Sequence, residues 1–96
     1  MKATYIVHGF VQGVGYRAYV KALADRLGIG GIVMNQADGS VLVIAMGEEV
    51  VLKNFEEGLD LSMKYGIQVQ LIEKQYEPDG DNAAEIDFST FSIVKG

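Results

Sequence analysis

The chain has 96 residues, which is enough for one small domain with a single hydrophobic core and too few for two. Nearly half of the residues are hydrophobic and none is cysteine, which excludes disordered and fibrous proteins, disulfides and thiolate sites. A net charge of −5 with only two arginines argues against a nucleic-acid partner. No apolar run approaches the length that spans a bilayer or resembles a signal peptide, so we expect a soluble cytoplasmic protein that binds no membrane.

The first half of the chain predicts a strand followed by a helix. Residues 3–8 are rich in β-formers and end at Gly9, which indicates a strand. From Arg17 to Leu27, apolar residues recur at the i, i+3, i+4 and i+7 positions of an amphipathic helix. Gly28 then stands where a left-handed C-cap is needed.

A hairpin and a second helix come next. Asp38 and Gly39 separate two apolar runs, 32–35 and 41–46, and this dipeptide favours positive φ values in a tight turn between antiparallel strands. The second helix begins with Glu48 and Glu49, whose charge suits a helix N-terminus, and Gly58 is unfavourable within it. Its predicted buried side comprises Val51, Leu52, Phe55, Leu59 and Ser62.

The last third of the chain predicts further strands. Ile67, Val69 and Leu71 alternate with glutamines and are expected on one face of a strand. A loop is expected at 78–82, a break near Ser89, and a last strand from 90 to 94.

This element order, β-α-β-β-α-β, predicts an α+β fold with a ferredoxin-like α/β sandwich. We expect one domain over residues 1–96, with an antiparallel sheet of four to five strands and both helices on one face. An RNA-binding sheet of the same topology would need basic charge and exposed aromatic residues on its central strands, and the chain offers neither.

The segment between the first strand and the first helix predicts an anion site. Gly13 and Gly15 allow the backbone to curl, and Arg17 can bind two phosphoryl oxygens with its planar guanidinium. The main-chain N–H groups available as donors are those of Gln12, Gly13, Val14, Gly15 and Tyr16. The glycines alone would favour a plain β–α connection beside a solvated Arg17, since such loops are common.

Two sequence blocks together resemble the signature of the acylphosphatase family. The first consists of Gly9, Val11, Gln12, Gly13, Val14, Tyr16 and Arg17, and the second of Gly31, Val33, Asn35, Asp38, Gly39 and Val41. Ile32 and Met34 depart from it, because the family often has an aromatic and a basic residue there.

The resemblance implies a metal-independent hydrolase that converts acyl phosphates to carboxylate and phosphate without a cofactor. Arg17 and the loop amides would bind the phosphoryl group, and Asn35 would hold the attacking water. The partner would be a small-molecule acyl phosphate, and the enzyme would be a monomer. An alternative from another class is a phosphate-binding module of the same fold that has no turnover.

Other polar residues carry no predicted chemistry. His8 is the only histidine and alternates with apolar residues on the first strand, which favours a packed or edge side chain. Asp38 and Gly39 belong to the turn, and the acidic clusters lack the spacing of a metal loop, so no metal site is expected.

Overall fold

A computed structural model describes residues 1–60, 62–64, 66–78 and 85–95 of the chain. The elements are β1 (Lys2–Phe10), α1 (Tyr16–Leu27), β2 (Gly30–Asn35), β3 (Val41–Met46), α2 (Glu49–Leu59), β4 (Ser62–Lys64), β5 (Ile67–Glu77) and β6 (Phe91–Val94). Most of the predicted loop at 78–82 lies outside the described residues. No helix within the described ranges is long and apolar enough to cross a bilayer.

The sheet has six strands in the order β4-β5-β1-β3-β2-β6, and its inner part has the ferredoxin-like arrangement predicted from the sequence. The expectation of a wholly antiparallel sheet of four to five strands is corrected at both edges. A short β4 pairs with β5, and β6 pairs with β2 in parallel. β5 runs opposite to β1 and β2, and β6 runs opposite to β5, so β6 has the same direction as β2.

Both helices pack on one face of the sheet and close a single core. Alternate residues of β1 and β3 point into it, so Tyr5 and Val43 are completely buried. The ring of Phe55 on α2 meets those of Tyr5 and Phe91 edge to face, with centroids 6.0 and 6.1 Å apart. The core therefore joins α2 to both the centre and the β6 edge of the sheet.

Helix α2 is shorter than its sequence pattern predicted. Leu52, Phe55 and Leu59 are buried as expected, but Ser62 lies in β4 and not on the helix. Gly58 has a packing reason, since a Cβ built on it would lie 2.5 Å from Cδ2 of Leu23. The two helices thus pack closely at Gly58, where a larger side chain would collide with Leu23.

Two local predictions on the strands and turns need correction. A bulge between His8 and Gly9 leaves Gln70 without a cross-strand partner, so the facing of β5 inverts and Leu71 is 57% exposed. In the hairpin turn, Gly39 has a positive φ of 95°, whereas Asp38 does not have a positive φ. Asp38 instead contributes its side-chain carboxylate, which accepts hydrogen bonds within the turn. The hydroxyl and N–H of Ser40 donate to this carboxylate, which lowers the pKa of Asp38.

Buried tyrosine hydroxyls make folding sensitive to alkaline pH. Burial raises the pKa of Tyr16 well above its ordinary value of 10.0, and burial together with Glu56 does the same for Tyr5. The unfolded chain releases these protons near pH 10, whereas the folded chain retains them. The contribution of these two tyrosines to the free energy of unfolding is therefore fully present below pH 10 and decreases as the pH rises above 10.

We expect the free energy of unfolding in urea to be constant from pH 8 to about 9 and to fall above pH 10, where the slope approaches about 1.4 kcal/mol per pH unit for each retained proton. Tyr16→Phe has one retained proton fewer, so its slope should be smaller by about 1.4 kcal/mol per pH unit. Tyrosinate absorbance, recorded on the same samples, should rise together with unfolding. Equal slopes in the parent and in Tyr16→Phe would contradict the prediction.

Candidate functional site

Three strands have their carboxyl ends at the same end of the sheet. β1 and β2 are both antiparallel to β3, and β6 is parallel to β2, so all three run in the same direction. The loop at 11–15 follows β1, Asn35 ends β2, and Ile93 lies near the end of β6. The topology thus collects the two sequence blocks at a single end of the molecule.

Two glycines in left-handed conformation shape the loop between β1 and α1. Gly13 has a φ of 72°, and Gly15, the N-cap of α1, has a φ of 82°. A Cβ at either position would meet no atom within 4 Å, so backbone conformation and not space favours glycine there. Tyr19 donates its N–H to the carbonyl of Gly15 at 3.1 Å, and the helix begins at Tyr16.

The loop leaves its donors free. Among the described residues, none accepts a hydrogen bond from the main-chain N–H groups of residues 12 to 16. The N-terminus of α1, with its partial positive charge, follows directly. An anion that approaches this end of the helix would therefore compete with no described protein acceptor for these N–H groups.

Arg17 adds a formal charge beside these donors. It lines a cavity of about 180 Å³ together with Gly13, Gly15, Tyr16, Ala18 and Ile93. In the part of the chain that the structure describes, its guanidinium has no carboxylate partner. A larger cavity of about 610 Å³ lies between α2 and β5, but none of the predicted site residues lines it.

Asn35 carries a buried acceptor that is not used. It pairs with the core residue Val41 at the end of β2, so its side chain lies on the helix-covered face of the sheet. Its Oδ1 atom is buried and has no hydrogen-bond partner among the described residues. Such atoms are rare in folded proteins because removing them from water is costly, which makes a bound water or ligand the expected partner.

Gln12 joins the loop to the hairpin, which sequence reasoning missed because it considered only the main-chain N–H of this residue. The side-chain Nε2 donates to the carbonyls of Gln36 and Ser40, both at 2.8 Å. These acceptors lie far along the chain, and no sequence pattern pairs them with Gln12. The Gln36 carbonyl follows Asn35 directly, so one side-chain amide connects the two halves of the site.

Tyr16 also has a second role that was not predicted. Its ring is buried, and its hydroxyl donates to the carbonyl of Leu59 at 2.8 Å. The residue that supplies the last loop amide is therefore anchored to the end of α2. Sequence gave no signal for this contact, because Leu59 lies in the other helix.

The remaining candidate groups lie apart from this site. His8 Nε2 is 2.9 Å from a carboxylate oxygen of Glu73, at the surface of the sheet. Within the described ranges, no group of three or more histidines and carboxylates could hold a metal ion.

Several curated proteins that resemble this chain are acylphosphatases. The chain is 36% identical to an acylphosphatase of Pasteurella multocida over 97% of both chains, and 35% identical to one of Lactobacillus johnsonii over 95% of this chain and 94% of that one. A match of 59% identity to an acylphosphatase of Latilactobacillus sakei spans only about half of each chain, 51% and 53%.

Solved structures show the same similarity. The crystal structure of the acylphosphatase from Bacillus subtilis superposes with a TM-score of 0.85 and 32% identity over 97% of both chains. HypF of T. kodakarensis is matched over 100% of this chain but only 12% of its own, with 28% identity and a TM-score of 0.78. The sequence profile of the family "Acylphosphatase" matches residues 3–93. Since this match covers nearly the whole chain, the chain belongs to the acylphosphatase family.

Proposed function

We propose that the chain hydrolyses acyl phosphates to a carboxylate and inorganic phosphate, with the phosphoryl group bound by residues 12–17 and water held by Asn35. Family membership supports the reaction class. The observation that carries the residue assignment is the unpaired, buried Oδ1 of Asn35, at the same end of the sheet as a loop of free amides. The Oδ1 of Asn35 lacks a hydrogen-bond donor, which a water can supply. The loop N–H groups lack an acceptor, which a phosphate can supply.

The phosphoryl group would be held by geometry and local charge. The N–H groups of residues 12 to 16 donate to its non-bridging oxygens, and Arg17 adds two parallel donors. None of the described residues that line the cavity is acidic. The site can therefore bind an anion despite the net charge of −5, because charges farther away than about 10 Å are largely screened in salt.

Asn35 would orient the attacking water. Its Oδ1 accepts a hydrogen bond from the water, which aims an oxygen lone pair at phosphorus. An amide is too weak a base to remove the proton, so the proton passes to a phosphoryl oxygen as the bond between water oxygen and phosphorus forms. The bond from phosphorus to the acyl oxygen breaks, and its electron pair stays on the carboxylate.

The leaving group makes further acid catalysis unnecessary. A carboxylate has a conjugate acid with a pKa of about 4, so it departs without a proton at neutral pH. The rate then depends on alignment and on stabilisation of phosphoryl charge. This chemistry needs neither a thiol nor a metal ion.

We further propose that residues 1–96 act as one domain and as a monomer in the cytoplasm. Arg17, Asn35 and the loop amides of the proposed site all come from one chain, so these groups do not require a second copy. Size-exclusion chromatography with light scattering would test the oligomeric state.

Removal of either proposed side chain should abolish most of the turnover. Arg17→Gln and Asn35→Ala should each lower kcat/KM for benzoyl phosphate by about 10²-fold or more, because preorganised contacts to the transition state are lost. Phosphate release is measured in the presence of a chelator. Arg26→Gln and Asn54→Ala, at exposed helical positions, are the matched controls and should change kcat/KM less than twofold.

A parent chain that binds phosphate but shows no turnover above background would contradict hydrolysis and favour the anion-binding module. Full activity in Asn35→Ala would instead contradict the assignment of water to that side chain. The two failures are distinct, because only the first concerns the reaction itself.

The Gln12 side chain should affect kcat more than phosphate binding. Gln12→Met removes both bonds to the hairpin but keeps the loop amides and Arg17, so the water on Asn35 loses its alignment with phosphorus. We expect kcat to fall by about tenfold or more, since small displacements of reacting groups cost up to about 10²-fold. The inhibition constant of inorganic phosphate should change less than threefold.

The comparison variant is Gln36→Met, which removes the bond from Ser40 Oγ to the Gln36 side chain and keeps the carbonyl that Gln12 binds. It disturbs the same hairpin and should lower kcat much less than Gln12→Met at a similar loss of Tm. Equal losses of kcat in both variants would show that hairpin stability, and not the bonds of Gln12, is responsible.

A further inference from the structure

Ile93 is a large apolar side chain in an unusual position. It lies on β6 directly opposite Val33 of β2, and paired residues of parallel strands point to the same face of the sheet. Val33 is completely buried beneath the helices, whereas Ile93 is 40% exposed. The difference arises because Ile93 faces the cavity beside Arg17 and not the core.

The cavity is open because its other walls are small. Gly13, Gly15 and Ala18 contribute almost no side-chain volume, while Arg17 is the only charged residue among its described lining. Ile93 is thus the one aliphatic side chain larger than that of alanine among the described lining, which also includes Arg17 and Tyr16. A ligand that fills this space meets a cation and amides on one side and an apolar surface on the other.

An acyl phosphate has the same division of polarity. In the reaction proposed above, the phosphoryl oxygens take the loop amides and the guanidinium, and the acyl carbon is only one bridging oxygen away from phosphorus. The acyl substituent must therefore lie next to the phosphate site, among the residues that line the same cavity.

We propose that Ile93 forms the binding surface for the acyl substituent and makes the chain selective for acyl phosphates with a bulky apolar or aromatic acyl group. This inference rests on the proposed function, because it names the substrate class of that same site. Contact with Ile93 removes apolar substrate surface from water, which an acetyl group is too small to exploit. The side chain determines specificity and takes no part in the chemical step.

Ile93→Ala, assayed with benzoyl phosphate and acetyl phosphate, tests the proposal. We expect kcat/KM for benzoyl phosphate to fall about five- to tenfold and that for acetyl phosphate to change less than twofold, as is typical when apolar contact with a substrate is shortened. The ratio of the two values is measured on one preparation, so it is independent of the fraction of folded protein. Ile93→Leu, which keeps the apolar volume, should retain the parent ratio.

Val94→Ala is the matched control, because its neighbouring position on β6 faces the opposite side of the sheet. It should leave the ratio unchanged. An unchanged ratio in Ile93→Ala would overturn the assignment of Ile93, whether kcat/KM stays the same or falls by the same factor for both substrates. If the parent chain hydrolyses neither substrate, the proposed function itself fails, and that result is distinguishable from the other two.

Discussion

The site depends on the two hydrogen bonds that Gln12 donates across the gap between the first loop and the hairpin. The loop belongs to the β1–α1 connection and Asn35 to β2, and β3 lies between the two strands. With strands about 4.8 Å apart, backbone pairing alone leaves Asn35 two strand spacings from β1. A side-chain amide that reaches the carbonyl next to Asn35 fixes this separation with much less freedom than the loop itself would have.

The same region leaves polar groups without protein partners, and the buried one, the Oδ1 of Asn35, lowers the stability of the fold. Five amide N–H groups and the Oδ1 of Asn35 lack protein partners within the described ranges. Most buried polar atoms in folded proteins are satisfied, and a buried one left unsatisfied costs about 1 to 3 kcal/mol. The rest of the domain offsets this cost through a core that joins both helices to the sheet. A binding site of this kind is preorganised, because its donors and acceptors do not have to break protein bonds before they meet a ligand.

The sequence predicted those features that depend on local patterns. The apolar spacing from Arg17 to Leu27 and the glycines at 13, 15, 28 and 39 indicated the first helix, its ends and the hairpin. The structure has them at nearly the same residues. Proximity of Asn35 to the loop was expected from the resemblance and stays a prediction, because strand direction brings both to one end of the sheet but Asn35 is not among the described lining of the cavity at Arg17. The features that were missed depend on residues distant in sequence: the parallel pairing of β6, the bulge opposite His8 and Gly9, and the partners of Gln12. Ser62 was placed on α2 because its spacing fits a helix, and the position of Ile93 beside Arg17 could not be read from an alternating strand pattern.

The hydroxyls of Tyr16 and Tyr19 have a consequence for the electric field at the site. They donate to the carbonyls of Leu59 and Gly58, at 2.8 and 2.6 Å, which are among the last carbonyls of α2. That helix end carries partial negative charge and has no basic residue in its last turn. The first turn of α1 thus presents its own positive end to an anion while its two phenol dipoles offset the negative end of the neighbouring helix. The positive end of α1 and the negative end of α2 lie close together here. The two tyrosine hydroxyls reduce the partial negative charge at the end of α2, which would otherwise repel a phosphate.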